Sequence, residues 1–411
     1  MRDSDNVFDV LTERGFIEQV SDAEAVRAAV ERPITCYVGF DPSAPSFHAG
    51  SLVPIMALAH MQRHGHRPIA VMGGGTGMVG DPSGKTEMRQ LLDVERIDAN
   101  VANLRSQMAR ILDFEGGALM VNNGDWLRSL NYLEFLRDIG RHFSVNRMLA
   151  AEAYRTRYDS EEGLNFLEFN YMLLQAYDFL HLYRTRGCVL QMGGNDQWGN
   201  ILAGVDLIRR VAGGQAYAAT FPLLTTASGA KMGKTAAGAV WLDPDKVSPY
   251  EYYQYWINVE DADVERFLAI FTFLSMDRVR ELGRLQGADI RQAKEVLAFE
   301  ATRILHGEPA AAEARQAARQ LFGRGVVTEA VPSSEIDAAV LAEGVPAPEL
   351  FQQVGLCRSR SEARRLIQQG GAYLNEEAVE SVDTLITDAN LDDGALLLRA
   401  GKKRYHRVVA V

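Results

Sequence analysis

Between residues 34 and 74 the chain alternates a strand-forming run, an apolar helix-forming run and a second strand-forming run. ITCYVGF at 34–40 is rich in β-branched and aromatic residues, which favour a pleated, half-buried surface. SLVPIMALAHMQRH at 51–64 predicts a helix, with Pro54 tolerated near its first turn. HRPIAVMGG at 66–74 contains the next buried strand. Strands joined through a helix pair in parallel, so the pattern predicts an α/β fold with a parallel sheet.

The alternation continues to about residue 225. An amphipathic helix is expected over 89–112, a strand at GALMVNN (117–123), and a helix at NYLEFLRDIG (131–140). One continuous helix is expected over 163–183, then a strand at CVLQMGG (188–194) and a helix from NDQWGN onward. From about 248 the pattern turns mainly helical. VVTEAVPSSEIDAAVLAEGVPAPEL (326–350) reads as a weakly structured connector, and the remainder as helix, helix, Gly-Gly turn and short strands. The expected organisation is an α/β domain at 1–240, a helical domain at 241–330, a linker at 331–346 and a small α+β domain at 347–411.

A chain of 411 residues with 47% hydrophobic content has room for two or three cores. Its three cysteines, Cys36, Cys188 and Cys357, are too few for a disulfide framework and lack metal-ligand spacing, which fits a reducing, cytoplasmic compartment. No apolar run reaches membrane-spanning length. The net charge of −11 argues against diffuse affinity for nucleic acid or membrane, but residues 355–411 carry nine basic and eight acidic side chains and form a relatively basic island.

Three stretches carry chemistry. FHAG at 47–50 sits where a strand gives way to a helix, the edge of an α/β sheet where ligands bind. A helix start offers unpaired N–H groups to an anion, Gly50 permits close approach, and His48 can donate to a phosphate. Taken alone, a His-x-Gly is more often just a helix start. Lys231 and Lys234 lie three apart in a Gly- and Ala-rich loop, a spacing suited to clamping one polyanion and equally to an exposed basic turn. Neither this loop nor GDPSGKT at 80–86 has P-loop spacing, and the dinucleotide fingerprint is missing. Tyr171, Gln175 and Asp178 share one helical face, a polar set suited to the ammonium and polar end of an amino acid, or to a polar seam between helices. Gln191 closes the next strand, and Asp196 and Gln197 follow Gly193-Gly194, so the polar groups converge on one pocket.

Taken together, YVGFDPSAPSFHAG, GDPSGKTEMR, FLRDIGRHFSVN, NYMLLQAYDF, LQMGGNDQWGN and KMGKTAAGAVWLDP resemble bacterial tyrosyl-tRNA synthetases, with FHAG resembling the HIGH motif of class I enzymes and KMGKT the KMSKS loop. The resemblance runs from about residue 7 to the C-terminus. It implies a homodimer with a Rossmann-like catalytic domain, a helical anticodon-side domain and an S4-like RNA-binding domain. It implies activation of L-tyrosine by ATP to tyrosyl-adenylate and pyrophosphate, then transfer to the 3′ end of tRNA(Tyr).

The same resemblance implies the roles. Tyr37 and Asp178 would bind the phenolic hydroxyl, Tyr171, Gln175 and Asp81 the α-amino group, with Gln191 lining the same pocket. Gly39, Asp41, Gly50, Ser51, Gly193, Asp196 and Gln197 would face the ATP and adenylate. Ser43 and His48 would meet the ATP phosphates. Lys85, Arg89, Lys231, Lys234 and Thr235 would clamp the pyrophosphate. Mg²⁺ would accompany ATP without a protein-bound metal. Arg358, Arg360, Arg364, Arg365, Lys402, Lys403 and Arg404 would meet the tRNA, and Phe135, Leu136, Phe143 and Val145 would anchor the dimer or, equally, belong to the core. Ser51, Gly124, Asn195 and Gly233 depart from the general pattern. A nucleotidyltransferase acting without RNA would leave the basic tail unexplained, and a non-catalytic scaffold would leave His48 and the lysine loop unexplained.

Overall fold

The computed structural model describes residues 6–83, 93–161, 163–229, 232–235, 238–323, 332–375, 377–392, 394–401 and 404–411. The chain divides into two compact units, one formed by 1–246 with 259–293 and the other by 247–258 with 294–411. The stretch expected as one helical domain, 241–330, is thus shared between them.

The first unit is built on a six-stranded sheet of β1 (Gln19–Val20), β2 (Thr35–Phe40), β3 (Arg67–Met72), β4 (Leu119–Asn122), β5 (Cys188–Gly194) and β6 (Tyr217–Phe221). Their order is β1-β6-β5-β2-β3-β4. All neighbours are parallel except β1 with β6. β2 is buried on both faces save at Gly39, which is why ITCYVGF reads as a continuous apolar run. The chain leaves β2 toward β3 and β4 on one side and reaches β5 and β6 on the other. The strand order therefore reverses between β2 and β5, and a crevice opens at their carboxyl ends. The short strands β1 and β6 were not anticipated.

The expected helix over 163–183 is two helices, Phe166–Phe169 and Tyr171–Arg186, broken at Asn170. The apolar periodicity crosses the break without interruption and so conceals it. The second helix packs its apolar face, including Met172, Ala176, Phe179 and Leu180, into one core with Ile69 and Val71 of β3.

Residues 259–293 belong to this unit for a specific reason. Arg14, following the Val7–Glu13 helix, is 2% exposed. Its guanidinium donates to the carbonyls of Ala269 (3.0 Å), Thr272 (3.1 Å) and Leu274 (2.5 Å) at the end of the Val264–Phe271 helix. The carbonyls of Ala269 and Thr272 are acceptors that a helix end leaves unpaired; that of Leu274 follows in the chain just beyond it.

In the second unit the helices Pro249–Ile257, Ile290–His306 and Glu308–Gly323 bury Tyr252, Tyr253 and Trp256. Its sheet runs in the order Glu377–Ala378, Ala372–Leu374, Ala395–Ala400, Arg404–Ala410, Ser333–Ile336. The expected loose connector is corrected here. Ser333–Ile336 pairs in parallel with Arg407–Ala410, and Ala338–Glu343 is a helix whose Leu341 is fully buried. Ser-Ser-Glu-Ile carries little intrinsic strand preference, so its conformation comes from the partner strand. Among the described residues no helix is long and apolar enough to cross a membrane.

Replacing Arg14 leaves the buried carbonyls of Ala269 and Thr272, and the half-buried one of Leu274, without this donor. Arg14→Leu is expected to lower the unfolding free energy by about 3 kcal/mol in urea titrations, and an unchanged midpoint refutes the assigned role.

Candidate active site

The carboxyl ends of β2 and β5 open into a cavity of about 310 Å³. Its floor is set by sheet register: Tyr37 of β2 stands opposite Gln191 of β5 and Ile69 of β3. Tyr37 is 1% exposed and Gln191 2%. The Tyr37 hydroxyl and the Gln191 side-chain oxygen have no hydrogen-bond partner among the described residues. Burial, reinforced by the Asp178 carboxyl, holds the Tyr37 phenol well above its ordinary pKa.

Asp178 enters from the Tyr171–Arg186 helix and is 3% exposed. It accepts from Asn123 Nδ2 at 2.8 Å and from Trp126 Nε1 at 2.7 Å. Burial pushes its pKa up to about 7; the two hydrogen bonds pull the other way, and the Asp41 carboxylate adds to the rise. Asn123 is itself held. Its Oδ1 accepts from the Gly75 N–H at 2.7 Å, and its Nδ2 also donates to Thr76 Oγ1 at 3.0 Å. The Trp126 indole is stacked on His181, with centroids 4.4 Å apart.

A second polar group lines another wall. Gln197 Nε2 donates to Asp81 Oδ2 at 2.6 Å. Asn200 donates to Gln197 Oε1 and to Ser83 Oγ, each at 3.2 Å. The Tyr171 hydroxyl donates to Asp41 Oδ1 at 3.4 Å.

The loop after β2 is pinned from behind by two buried polar residues of the Val94–Met108 helix. Asn100 donates to the Pro42 carbonyl at 2.8 Å, and Gln107 Oε1 accepts from the Phe47 N–H at 3.0 Å. His48 then caps the turn at Ala49–Ser51, its Nδ1 accepting the Gly50 N–H at 3.0 Å. With Nδ1 accepting, the ring proton sits on Nε2.

Ala49 N–H donates to the Val240 carbonyl and Leu242 N–H to that of Phe47. A Cβ on Gly50 would lie 2.9 Å from the Met232 carbonyl oxygen. One on Gly233, which has φ +78, would lie 2.7 Å from the Gly50 nitrogen. FHAG and the described part of the lysine loop are therefore in direct contact, and Gly233 has neither the backbone conformation nor the room for a side chain.

Of the residues nominated from sequence, Tyr37, Gly39, Asp41, Ser43, His48, Ser51, Asp81, Tyr171, Gln175, Asp178, Gln191, Gly193, Asp196 and Gln197 line this one cavity. Gly50 stands behind it, against His48 and Met232. Lys85, Arg89, Lys231, Lys402 and Lys403 lie outside the described residues, and Lys234 and Thr235 are described as a short strand without their side chains. On the C-terminal unit, Arg358, Arg364 and Arg365 are exposed. Arg360 pairs with Glu349 at 2.7 Å, and Arg404 donates to the Leu356 carbonyl at 2.8 Å. Phe135 is a core residue, packed edge-on against Tyr177, whereas Val145 is exposed. Asn123 and Trp126 were missed; their signal was a pair of hydrogen-bond donors three apart just beyond the end of β4.

Residues 29–323 match the model of class I tRNA synthetases of the tryptophan and tyrosine group. Residues 326–408 match that of the SYY-like C-terminal domain of tyrosine–tRNA ligases. The tyrosine–tRNA ligase of Desulfosudis oleivorans is 58% identical, with 98% of this chain and 99% of that protein aligned. That of Syntrophus aciditrophicus is 59% identical over 97% and 98%. The chain belongs to the tyrosine–tRNA ligase family. Its fold matches a C-terminally truncated mitochondrial tyrosyl-tRNA synthetase of Aspergillus nidulans at a TM-score of 0.70 and 31% identity, covering 77% of this chain and 94% of that one. As a tyrosine–tRNA ligase, the chain uses ATP to join tyrosine to tRNA.

An acid whose folded pKa is raised keeps its proton longer in the folded state. The stabilising contribution of Asp178 is therefore present below its unfolded value of 3.8 and is lost as pH climbs toward about 7. From pH 5 to pH 8 the ligand-free protein is expected to lose about 2–3 kcal/mol of stability relative to Asp178→Asn. Urea unfolding of both proteins at several pH values measures this; a difference that is flat with pH refutes it.

Proposed function

We propose that this cavity holds tyrosine and ATP together for adenylate formation, and that the C-terminal unit engages tRNA(Tyr). The observation that carries the reading is the buried, unpartnered hydroxyl of Tyr37 beside the Asp178 carboxyl. A tyrosine phenol supplies what that floor lacks: its O–H donates to Asp178 and its oxygen accepts from Tyr37. Phenylalanine in the same place leaves the buried Tyr37 hydroxyl without a partner and offers Asp178 no further donor beyond Asn123 and Trp126, a cost that falls on the wrong substrate alone. Asp81, Tyr171 and Gln175 receive the ammonium group.

The tyrosine carboxylate oxygen attacks the α-phosphorus of ATP. The bond to the bridging oxygen breaks, and pyrophosphate leaves with the electron pair. The carboxylate is already ionised, so no general base takes part; the protein orients the reactants and neutralises charge on the leaving group. His48 Nε2 donates to phosphate from the start of a helix, with Ser43 beside it. Lys85, Arg89, Lys231, Lys234 and Thr235 close on the pyrophosphate. Gly39, Asp41, Gly50, Ser51, Gly193, Asp196 and Gln197 form the nucleoside side. Mg²⁺ enters with ATP as part of the substrate, held by phosphates and water. The terminal hydroxyl of tRNA then attacks the tyrosyl carbonyl and AMP leaves.

Exposed Arg358, Arg364 and Arg365 offer phosphate contacts, supplemented by Arg360, Arg404, Lys402 and Lys403. Tyr132, Leu133 and Val145 are 58%, 73% and 55% exposed, and this apolar surface supports a homodimer. The free, buried cysteines fit a cytoplasmic location.

Two measurements test the reading. With Mg²⁺ present, the protein should catalyse tyrosine-dependent exchange of pyrophosphate into ATP. His48→Ala should lower the exchange rate by about 10²-fold with little change in the KM for ATP, because its donor acts mainly in the transition state. Normal kinetics with lost stability would mean that His48 only builds the turn. Separately, a chain ending at Gly323 should still form tyrosyl-adenylate, yet charge tRNA about tenfold or more slowly. Equal charging by the two chains overturns the RNA role of the part of the second unit beyond Gly323.

A further inference from the structure

The break between the Phe166–Phe169 and Tyr171–Arg186 helices has a physical cause. In a continuous helix the Met172 N–H would donate to the Glu168 carbonyl, four residues back. Here it donates instead to the hydroxyl oxygen of Tyr154, at 3.0 Å. That hydroxyl passes its own proton to the Phe169 carbonyl at 2.8 Å, with the Glu168 carbonyl at 3.4 Å. The next amide, Leu173, turns to the Asn170 carbonyl at 3.1 Å. One phenol thus stands inside the hydrogen-bond ladder, a recognised cause of a helix bend.

The wedge is rigidly held. Tyr154 is 0% exposed and packs on the Phe169 ring. One turn along its own helix, Arg157 pairs with Glu168 at 3.2 Å, and both side chains are buried. Glu168 in turn closes a reciprocal cap with Asn165. The short Phe166–Phe169 helix is fixed at both ends, and the second helix starts from it. Tyr154, Arg157 and Glu168 do not line the cavity, but Tyr171 and Gln175, on the first turns beyond the break, do.

We propose that Tyr154 is a positioning residue for tyrosine binding: its hydroxyl sets the bend that aims Tyr171 and Gln175 into the pocket. The proposal rests on the reading that these two side chains receive the ammonium group. Asp178 lies two turns further along, tied by Asn123 and Trp126, so the phenol end of the pocket is secured independently.

Tyr154→Phe keeps the ring and removes only the wedge. In ATP–pyrophosphate exchange its KM for tyrosine should rise about tenfold, with kcat and the KM for ATP within about twofold of wild type. Tyr171→Phe is measured in parallel. If it raises the tyrosine KM while Tyr154→Phe does not, the positioning role is overturned and the ammonium reading stands. If Tyr171→Phe leaves the KM unchanged, the ammonium reading fails and takes the proposal with it. A fall in melting temperature of Tyr154→Phe at unchanged KM also overturns the proposal. Should that variant not fold, hydrogen exchange in the ligand-free wild type decides. The Met172 amide should be protected, and exchange at the rate of an exposed amide overturns the wedge.

Discussion

The pocket depends on keeping one carboxylate, Asp178, in a dry place with neutral donors. A lysine or arginine there would drive it to full ionisation and occupy its lone pairs. An amide and an indole N–H hold each oxygen by a single directed bond and leave acceptor capacity facing the cavity. The result is a carboxyl poised at about 7, well above an ordinary aspartate. This arrangement requires three parts of the chain to meet. Asn123 follows β4, its Oδ1 takes the N–H of Gly75 after β3, and its Nδ2 reaches the helix that carries Asp178. The parallel sheet brings the ends of β3 and β4 side by side, so the geometry of the carboxylate follows from strand order rather than from any local motif.

The same logic ties together two motifs that are far apart in sequence. The turn at His48 to Gly50 and the backbone at Met232 to Gly233 touch, and a segment just beyond pairs with Phe47 and Ala49. A side chain at either glycine would push the two apart. The glycine where the general class I pattern has serine thus has a local reason: φ is positive and the space is filled by the Gly50 amide and the His48 ring.

Much of this was legible in the sequence because it rests on local signals. The 34–74 stretch announces a parallel α/β sheet through composition alone, and the i, i+4, i+7 spacing of Tyr171, Gln175 and Asp178 places them on one face. The cavity gathers those three with Gln191, which its place at the end of the next strand already suggested, and with Tyr37, which no spacing rule joins and only the family resemblance supplied. What escaped were effects of tertiary contact. β1 and Ser333–Ile336 are short, weakly strand-forming segments whose shape is supplied by a partner strand. The break at Asn170 lies inside an unbroken apolar period, and the hydrogen bond that replaces the helical one comes from a tyrosine sixteen residues earlier. Asn123 and Trp126 flank Gly124, at which the sequence already departs from the family pattern, but nothing local says that they point at Asp178.

Two of the departures are accommodated by neighbours rather than left as gaps. At Gly124 a Cβ would lie 2.9 Å from the Arg128 guanidinium and 3.0 Å from Asn122 Oδ1, so the place of a larger side chain is already taken. Arg128 is itself anchored, donating to the Gly74 carbonyl at 2.9 Å and pairing with Asp98. Asn195 Oδ1 accepts from Gln19 Nε2 at 2.6 Å and from Thr220 Oγ1 at 3.0 Å. The edge strand β1, only two residues long, is thereby fastened to the turn that follows β5. A side chain too short to span both donors would leave the buried Thr220 hydroxyl to seek another partner, so the identity at 195 is coupled to Gln19 and Thr220 and not to the ligand. Neither Gly124 nor Asn195 lines the cavity, although their chain neighbours Asn123, Gly194 and Asp196 do.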